Sequence, residues 1–247
     1  MDADTVRRVN ASRRQGTALD AGVIMPGVVN ESGADEGALI REQIRFYREV
    51  PPYDYDGPVG QPTEAFDDRV LAFCPPSTSC LELASGAGRW TTQLLGKCER
   101  ITAVDSSPER HALSHARMAD GRVQYVEADL FEFQPSASYD LVFAGFWLSH
   151  VPAARFRSFW AMVADALAPN GRVVMVDDGT RDAQGVVRFE SGPDGSGAQR
   201  RLPDGTMFTI VKIAYRPDEL ESLLGDLGWT ATVTLLTPSL YVLEAGR

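Results

Sequence analysis

The chain has 247 residues and a formal net charge of −10, from 34 acidic against 24 basic side chains. A length of this order buries one substantial core, so one large domain with an appendage is expected rather than two. An acidic chain is a poor partner for a phosphate backbone, no apolar run approaches bilayer-spanning length, and the N-terminus lacks a signal-peptide core; nucleic-acid and membrane partners are not expected, and a cytoplasmic location is.

Residues 1–37 are polar and Gly-rich, with basic pairs Arg7-Arg8 and Arg13-Arg14. Nothing aromatic interleaves with those charges, so the segment reads as a flexible N-terminal tail. From about Asp35 the pattern becomes helical, with Ile40, Ile44 and Tyr47 recurring on one face. Pro51-Pro52 ends that helix, and a loop dense in Tyr, Asp and Gly follows, including Tyr53 and Tyr55. A second helix is expected from Thr63 as N-cap, burying Phe66, Val70 and Phe73.

Strands and helices then alternate. Strand 79–83 leads into a helix from Arg89, and strand 101–105 into a helix from Pro108, where Ser106 and Glu109 have capping-box spacing. Strands 123–127 and 139–145, an amphipathic helix over 153–168, an Asn170-Gly171 turn and strand 172–177 complete the series. This alternation predicts a parallel sheet covered by helices on both faces. After Asp178 the segment 179–198 is polar and Gly-rich, and QRRLPDGTMFTIVKIAY reads as two short strands around an Asp204-Gly205 turn. A helix over 217–227 and a final strand pair, 230–236 and 240–245, add an antiparallel strand to the sheet. The three cysteines, Cys74, Cys80 and Cys98, are odd in number and lack metal-ligand spacing, so they read as reduced, mostly buried thiols and no metal is predicted.

The segment CLELASGAG, residues 80–88, is a strand running through small residues into a helix. Such a turn is where an α/β sheet binds a nucleoside cofactor, and the acidic partner expected after the next strand is Asp105. A dinucleotide fingerprint requires a third Gly where this chain has Thr91, next to the bulky Trp90. The loop therefore suits a smaller group than a pyrophosphate. An amino-acid zwitterion fits, with backbone carbonyls for its ammonium and helix N–H groups for its carboxylate, and S-adenosylmethionine carries one.

In combination, ELASGAG, AVDSS, VEADLFEF, YDLVFAGFWLSHV and LAPNGRVVMVDD resemble the class I S-adenosylmethionine-dependent methyltransferases from about Ser79 to the C-terminus. FWLSHVP and RRLPDG…FTIVK are similar to small bacterial natural-product O-methyltransferases, phosphonate O-methyltransferases among them. Ala84 departs from the family's usual first loop Gly. The resemblance implies a Rossmann-like, seven-stranded, mostly parallel sheet with one antiparallel strand, helices on both faces, an N-terminal helical lid over 38–76 and a β-hairpin within a substrate-capping insertion at 179–215 of a methyltransferase domain over 77–247. It gives Asp105 the ribose hydroxyls, Asp129 the adenine amino group, the Leu130 N–H a ring nitrogen, and Glu82 the methionine ammonium. Tyr47, Ala84, Gly86, Gly88, Trp90, Thr91, Ser106, Phe131 and Gly145 complete the implied cofactor site.

Methyl transfer is an in-line displacement in which the protein chiefly aligns nucleophile, methyl and sulfur. An anionic oxygen needs no general base, whereas an alcohol does. His150, just beyond strand 141–145, is the candidate catalytic group, with helix capping or cofactor contact as the alternative. His111 and His115, four residues apart, read as a solvated helix face rather than a metal pair. Arg200 and Arg201 point to opposite faces of a strand, and the resemblance favours Arg200 and Lys212, with Tyr53 and Tyr55, as ligands of an anionic substrate; a charged edge strand is the plain alternative. The expected activity is methylation of an oxygen on a small anionic metabolite in bacterial secondary metabolism. N-methylation of a small amine, an NAD-dependent oxidoreductase and a non-catalytic cofactor-binding partner protein are the alternatives, and the oligomeric state is left open, a dimer included.

Overall fold

The computed structural model describes residues 36–50, 64–179 and 197–247. Tyr53, Tyr55, Thr63 and most of the polar 179–198 segment lie outside the described residues. In chain order the elements are helices α1 (Glu36–Glu49) and α2 (Glu64–Leu71), strand β1 (Ser77–Leu83), α3 (Arg89–Leu94), β2 (Cys98–Asp105), α4 (Pro108–Met118), β3 (Val123–Glu127) and β4 (Tyr139–Gly145). Two 3-10 turns, Leu148–His150 and Ala153–Arg155, then lead into α5 (Phe156–Ala166) and β5 (Leu167–Asp178). A hairpin of β6 (Gly197–Arg201) and β7 (Met207–Val211) precedes α6 (Pro217–Gly225), β8 (Thr230–Thr237) and β9 (Leu240–Gly246).

The main sheet has seven strands in the order β3-β2-β1-β4-β5-β9-β8. β1 to β5 pair in parallel, and β9 runs antiparallel to both β5 and β8. The chain starts at the centre with β1, builds outward to β3, then returns to place β4 on the other side of β1. Crossovers leave the sheet in opposite directions at that point, which opens a crevice beyond the C-terminal ends of β1 and β4.

Strand side chains alternate between two buried faces, as a sheet covered on both sides requires. Leu81, Leu83, Val142, Ala144, Val173 and Met175 pack with Phe159, Trp160, Leu220 and Leu224 of α5 and α6. Cys80, Leu141, Phe143, Val174 and Val176 pack with Phe66 and Val70 of α2 and Leu94 of α3. All three cysteines are free thiols in this interior. A third cluster, with Phe46, Val50, Leu202, Phe208 and Ile210, joins α1 to the hairpin, which forms its own two-stranded sheet.

Several local expectations change. In α1 the residues buried in the core are Ile40, Gln43 and Phe46; Ile44 and Tyr47 are turned toward the crevice instead. The cap of α4 is Ser107, not Ser106: Pro108 occupies the first helical position, so the residue before it caps, and its Oγ accepts from Arg110 N at 3.3 Å. The predicted helix over 153–168 begins as the 3-10 turn after Pro152, becomes α-helical only from Phe156, and hands over to β5 at Leu167. The Asn170-Gly171 turn survives as an irregularity inside β5, where Asn170 is left-handed at φ 65° and the register against β4 shifts. His111 does not lie on a solvated face: it is buried, with Nε2 3.3 Å from Ser85 Oγ and its ring against Tyr125.

Candidate active site

The turn after β1 works by backbone conformation. Ala84, Gly86 and Gly88 have φ of 54°, 53° and 81°, left-handed values that bend the strand sharply into α3. A Cβ at Gly88 would lie 2.1 Å from Ser114 Oγ, so this glycine lets α4 approach. A Cβ at Gly86 would meet nothing, because that residue faces the crevice. Gly145, at the end of β4, lies under the Trp90 indole; a Cβ there would come within 2.3 Å of Nε1.

Asp105 closes this turn from the next strand. One carboxylate oxygen accepts from Gly86 N at 2.9 Å and the other from Ser107 N at 2.9 Å. A carboxylate has four lone-pair positions, so capacity for a diol remains. Asp129 shapes the loop after β3 in the same way, with Oδ1 accepting from Phe131 N at 2.9 Å. Glu82 lies beneath the turn, 1% exposed, with Oε2 lacking a hydrogen-bond partner. Burial pushes its carboxyl up to about 8, with Thr91 offsetting part of the effect and Asp105 adding to it.

The turn, Asp105 and Asp129 border a cavity of about 350 Å³, with Glu82 set back from its wall. Ala84, Gly86, Trp90, Asp105, Ser106, Asp129, Leu130 and Gly145 line it on the cofactor side; Tyr47 and His150 line its far side. Gly88 and Thr91 hold the turn and Phe131 packs on Trp147, all three set back from the wall. Arg200 and Lys212 are also off the wall, at the hairpin. Residues the sequence did not single out complete it, notably Gln43, Arg110, Phe146 and Asp178. Phe146 has a φ of 59°, a strained value for a bulky residue, held by its N–H bond to Val176 O at 2.7 Å.

His150 is 3% exposed. Its Nδ1 lies 2.7 Å from Val211 O, and because a carbonyl only accepts, Nδ1 carries the hydrogen. Nε2 then accepts from the Tyr47 hydroxyl at 2.9 Å. Burial holds the imidazole well below its ordinary range, and Lys212 and Arg200 push it further down. Gln43 locks this arrangement: it donates to His150 O at 3.1 Å and accepts from Val211 N at 3.0 Å. Arg110 of α4 reaches the other end of α1, donating to Tyr47 O at 3.0 Å and Val50 O at 2.7 Å.

Lys212 was expected to face a substrate. It is 8% exposed, and its ammonium is 2.7 Å from Asp178 Oδ2, 2.7 Å from Ser149 Oγ and 3.7 Å from Asp177 Oδ1. Arg200 is half-buried while Arg201 is exposed, the alternation expected of a strand. No spacing rule finds Asp178, Gln43 or Arg110, since each reaches the cavity through a tertiary contact.

The arrangement accommodates a nucleoside with a zwitterionic tail. Asp105 and Asp129 keep acceptor capacity at the wall, Glu82 offers a buried unpartnered oxygen, and the Trp90 Nε1 donor is likewise unsatisfied. The fold and this site define a class I S-adenosylmethionine-dependent methyltransferase, and the chain belongs to that family. A methyltransferase-domain family model matches residues 80–171. The chain is similar to DhpI, solved with S-adenosylhomocysteine (SAH): 32% identity over 85% of this chain and 98% of that one, with a TM-score of 0.71. The DhpI complex with SAM and HEP gives 32% and 0.72. Trans-aconitate 2-methyltransferase of Enterobacter sp. (strain 638) is 39% identical over 74 residues, 29% of each chain. The matches span 19% to 47% of the length of the curated relatives. The protein is thus an enzyme that uses S-adenosylmethionine, which when bound supplies a methyl group activated on a sulfonium.

Proposed function

We propose that the protein methylates an oxygen of a small anionic metabolite, a phosphonate, phosphate or carboxylate, in bacterial secondary metabolism. The observation that carries this reading is the state of His150. It is neutral, weakly basic, and its free nitrogen is engaged by Tyr47, so it is a poor general base for an alcohol. The charged groups that depress it are the cations Lys212 and Arg200, which favour an oxyanion nearby and disfavour an ammonium. An acceptor that enters already ionised needs alignment more than proton removal, and Tyr47, His150 and the hairpin cations supply that alignment. The sequence resemblance to natural-product O-methyltransferases supports the same acceptor atom.

Methylation of an amine is the competing reading, favoured by the Asp178 carboxylate on the cavity wall. A panel of phosphonates, phosphates, carboxylates and amines, scored by product mass, separates the two. Oxyanion products are expected, and Arg200→Ala should raise their KM about ten- to a hundredfold, the weight of a hydrogen bond to a charged group, with SAH affinity unchanged. Amine products alone, or an unaltered KM, would remove the proposal.

A further inference from the structure

We propose that Asp178 is the specificity-determining residue of this site: it holds the Lys212 ammonium, and an anionic acceptor binds by taking Lys212 from it. The inference rests on the anionic-acceptor reading above. Of the two carboxylates seen around Lys212 among the described residues, Asp177 is fixed, completely buried, with Oδ2 accepting from Ser149 N at 2.8 Å and Oδ1 from Asp178 N at 2.7 Å. Asp178 differs on every count. It is the last residue of β5, at the sheet edge where the cavity opens. Its side chain is 34% exposed against 4% for Lys212, and it alone of the three lines the cavity.

When Lys212 turns to a ligand, Asp177 therefore remains as its buried counterion, while Asp178, already 34% exposed, can be hydrated in place of its ion pair. The exchange is one anion for another on a single ammonium. A neutral molecule has nothing to offer in return, a carboxylate breaks roughly even, and an oxyanion of higher charge gains. Asp178 thus acts against weakly charged acceptors, a repulsive element of the kind that sets selectivity. The position of Lys212 supports the exchange, because it follows Val211, whose carbonyl holds His150; the competing anion would meet the ammonium beside that ring.

The test uses the SAH-saturated protein and methylphosphonate as probe, titrated calorimetrically. Asp178→Asn should tighten methylphosphonate binding about tenfold. In a Lys212→Met background the same change should do nothing, a coupling that a merely structural aspartate would not produce. Asp178→Ser repeats the measurement, and an unchanged SAH affinity in each variant reports an intact fold. Equal or weaker binding by both Asp178 variants overturns the role of Asp178 and leaves the anion site standing. Absence of methylphosphonate binding in wild type and variants alike overturns the anionic-acceptor reading itself, and the inference with it.

Discussion

Glu82 carries an electrostatic signature that a titration can read. Its carboxyl sits at about 8 instead of 4.5, so between those values the folded protein keeps a proton that the unfolded chain has lost. Stability therefore falls as pH rises from about 4.5 to about 8, and Glu82→Gln should flatten that slope in urea melts of the ligand-free protein. If Glu82 receives the cofactor's ammonium, as the sequence resemblance implies, binding SAH should expel the proton. Affinity should then climb through the same window, by up to about tenfold per pH unit, with proton release read from calorimetry in two buffers. A pH-independent affinity would detach Glu82 from the ammonium. At this scale the sequence was informative: Asp105 ends β2 and Asp129 lies two residues beyond β3, where order along the chain dictates position. It did not reveal the pairing of Lys212 with Asp177 and Asp178, carboxylates that are unremarkable until folding sets them against it.

The turn between β1 and α3 shows what elements contribute beyond their side chains. Its left-handed residues follow from small-residue composition, and Ala84 accepts at some strain a conformation that glycine adopts freely. Gly88 has no such latitude, with φ at 81° and α4 within contact of its missing side chain. Gly88→Ala should cost about 2–5 kcal/mol, summing the left-handed penalty and overpacking against Ser114, and should weaken SAH binding in a thermal-shift titration. Strand alternation and helix periodicity made the sheet and most helices legible. The face of α1 was not, because Ile44 and Phe46 are equally apolar and only the hairpin decides which is covered. The cap of α4 required weighing Pro108 against a capping-box spacing that pointed one residue too early.

For the whole molecule, strand order and the crevice follow from chain rules that favour one way of winding a parallel sheet. The far wall of the cavity does not, since it is assembled from α1 and the turn before α5, backed by β7, which lie far apart in sequence. Those pieces are tied by Gln43, by Tyr47 and, from α4, by Arg110. Were the spent cofactor's exit to require these bonds to part, the same wall would act as a latch. Chemistry and departure would then run on separate clocks: a rapid-quench time course should show one fast turnover per enzyme followed by a slower steady rate. Gln43→Ala should quicken the slow phase. The glutamine that looks like core packing would then set the tempo of the enzyme.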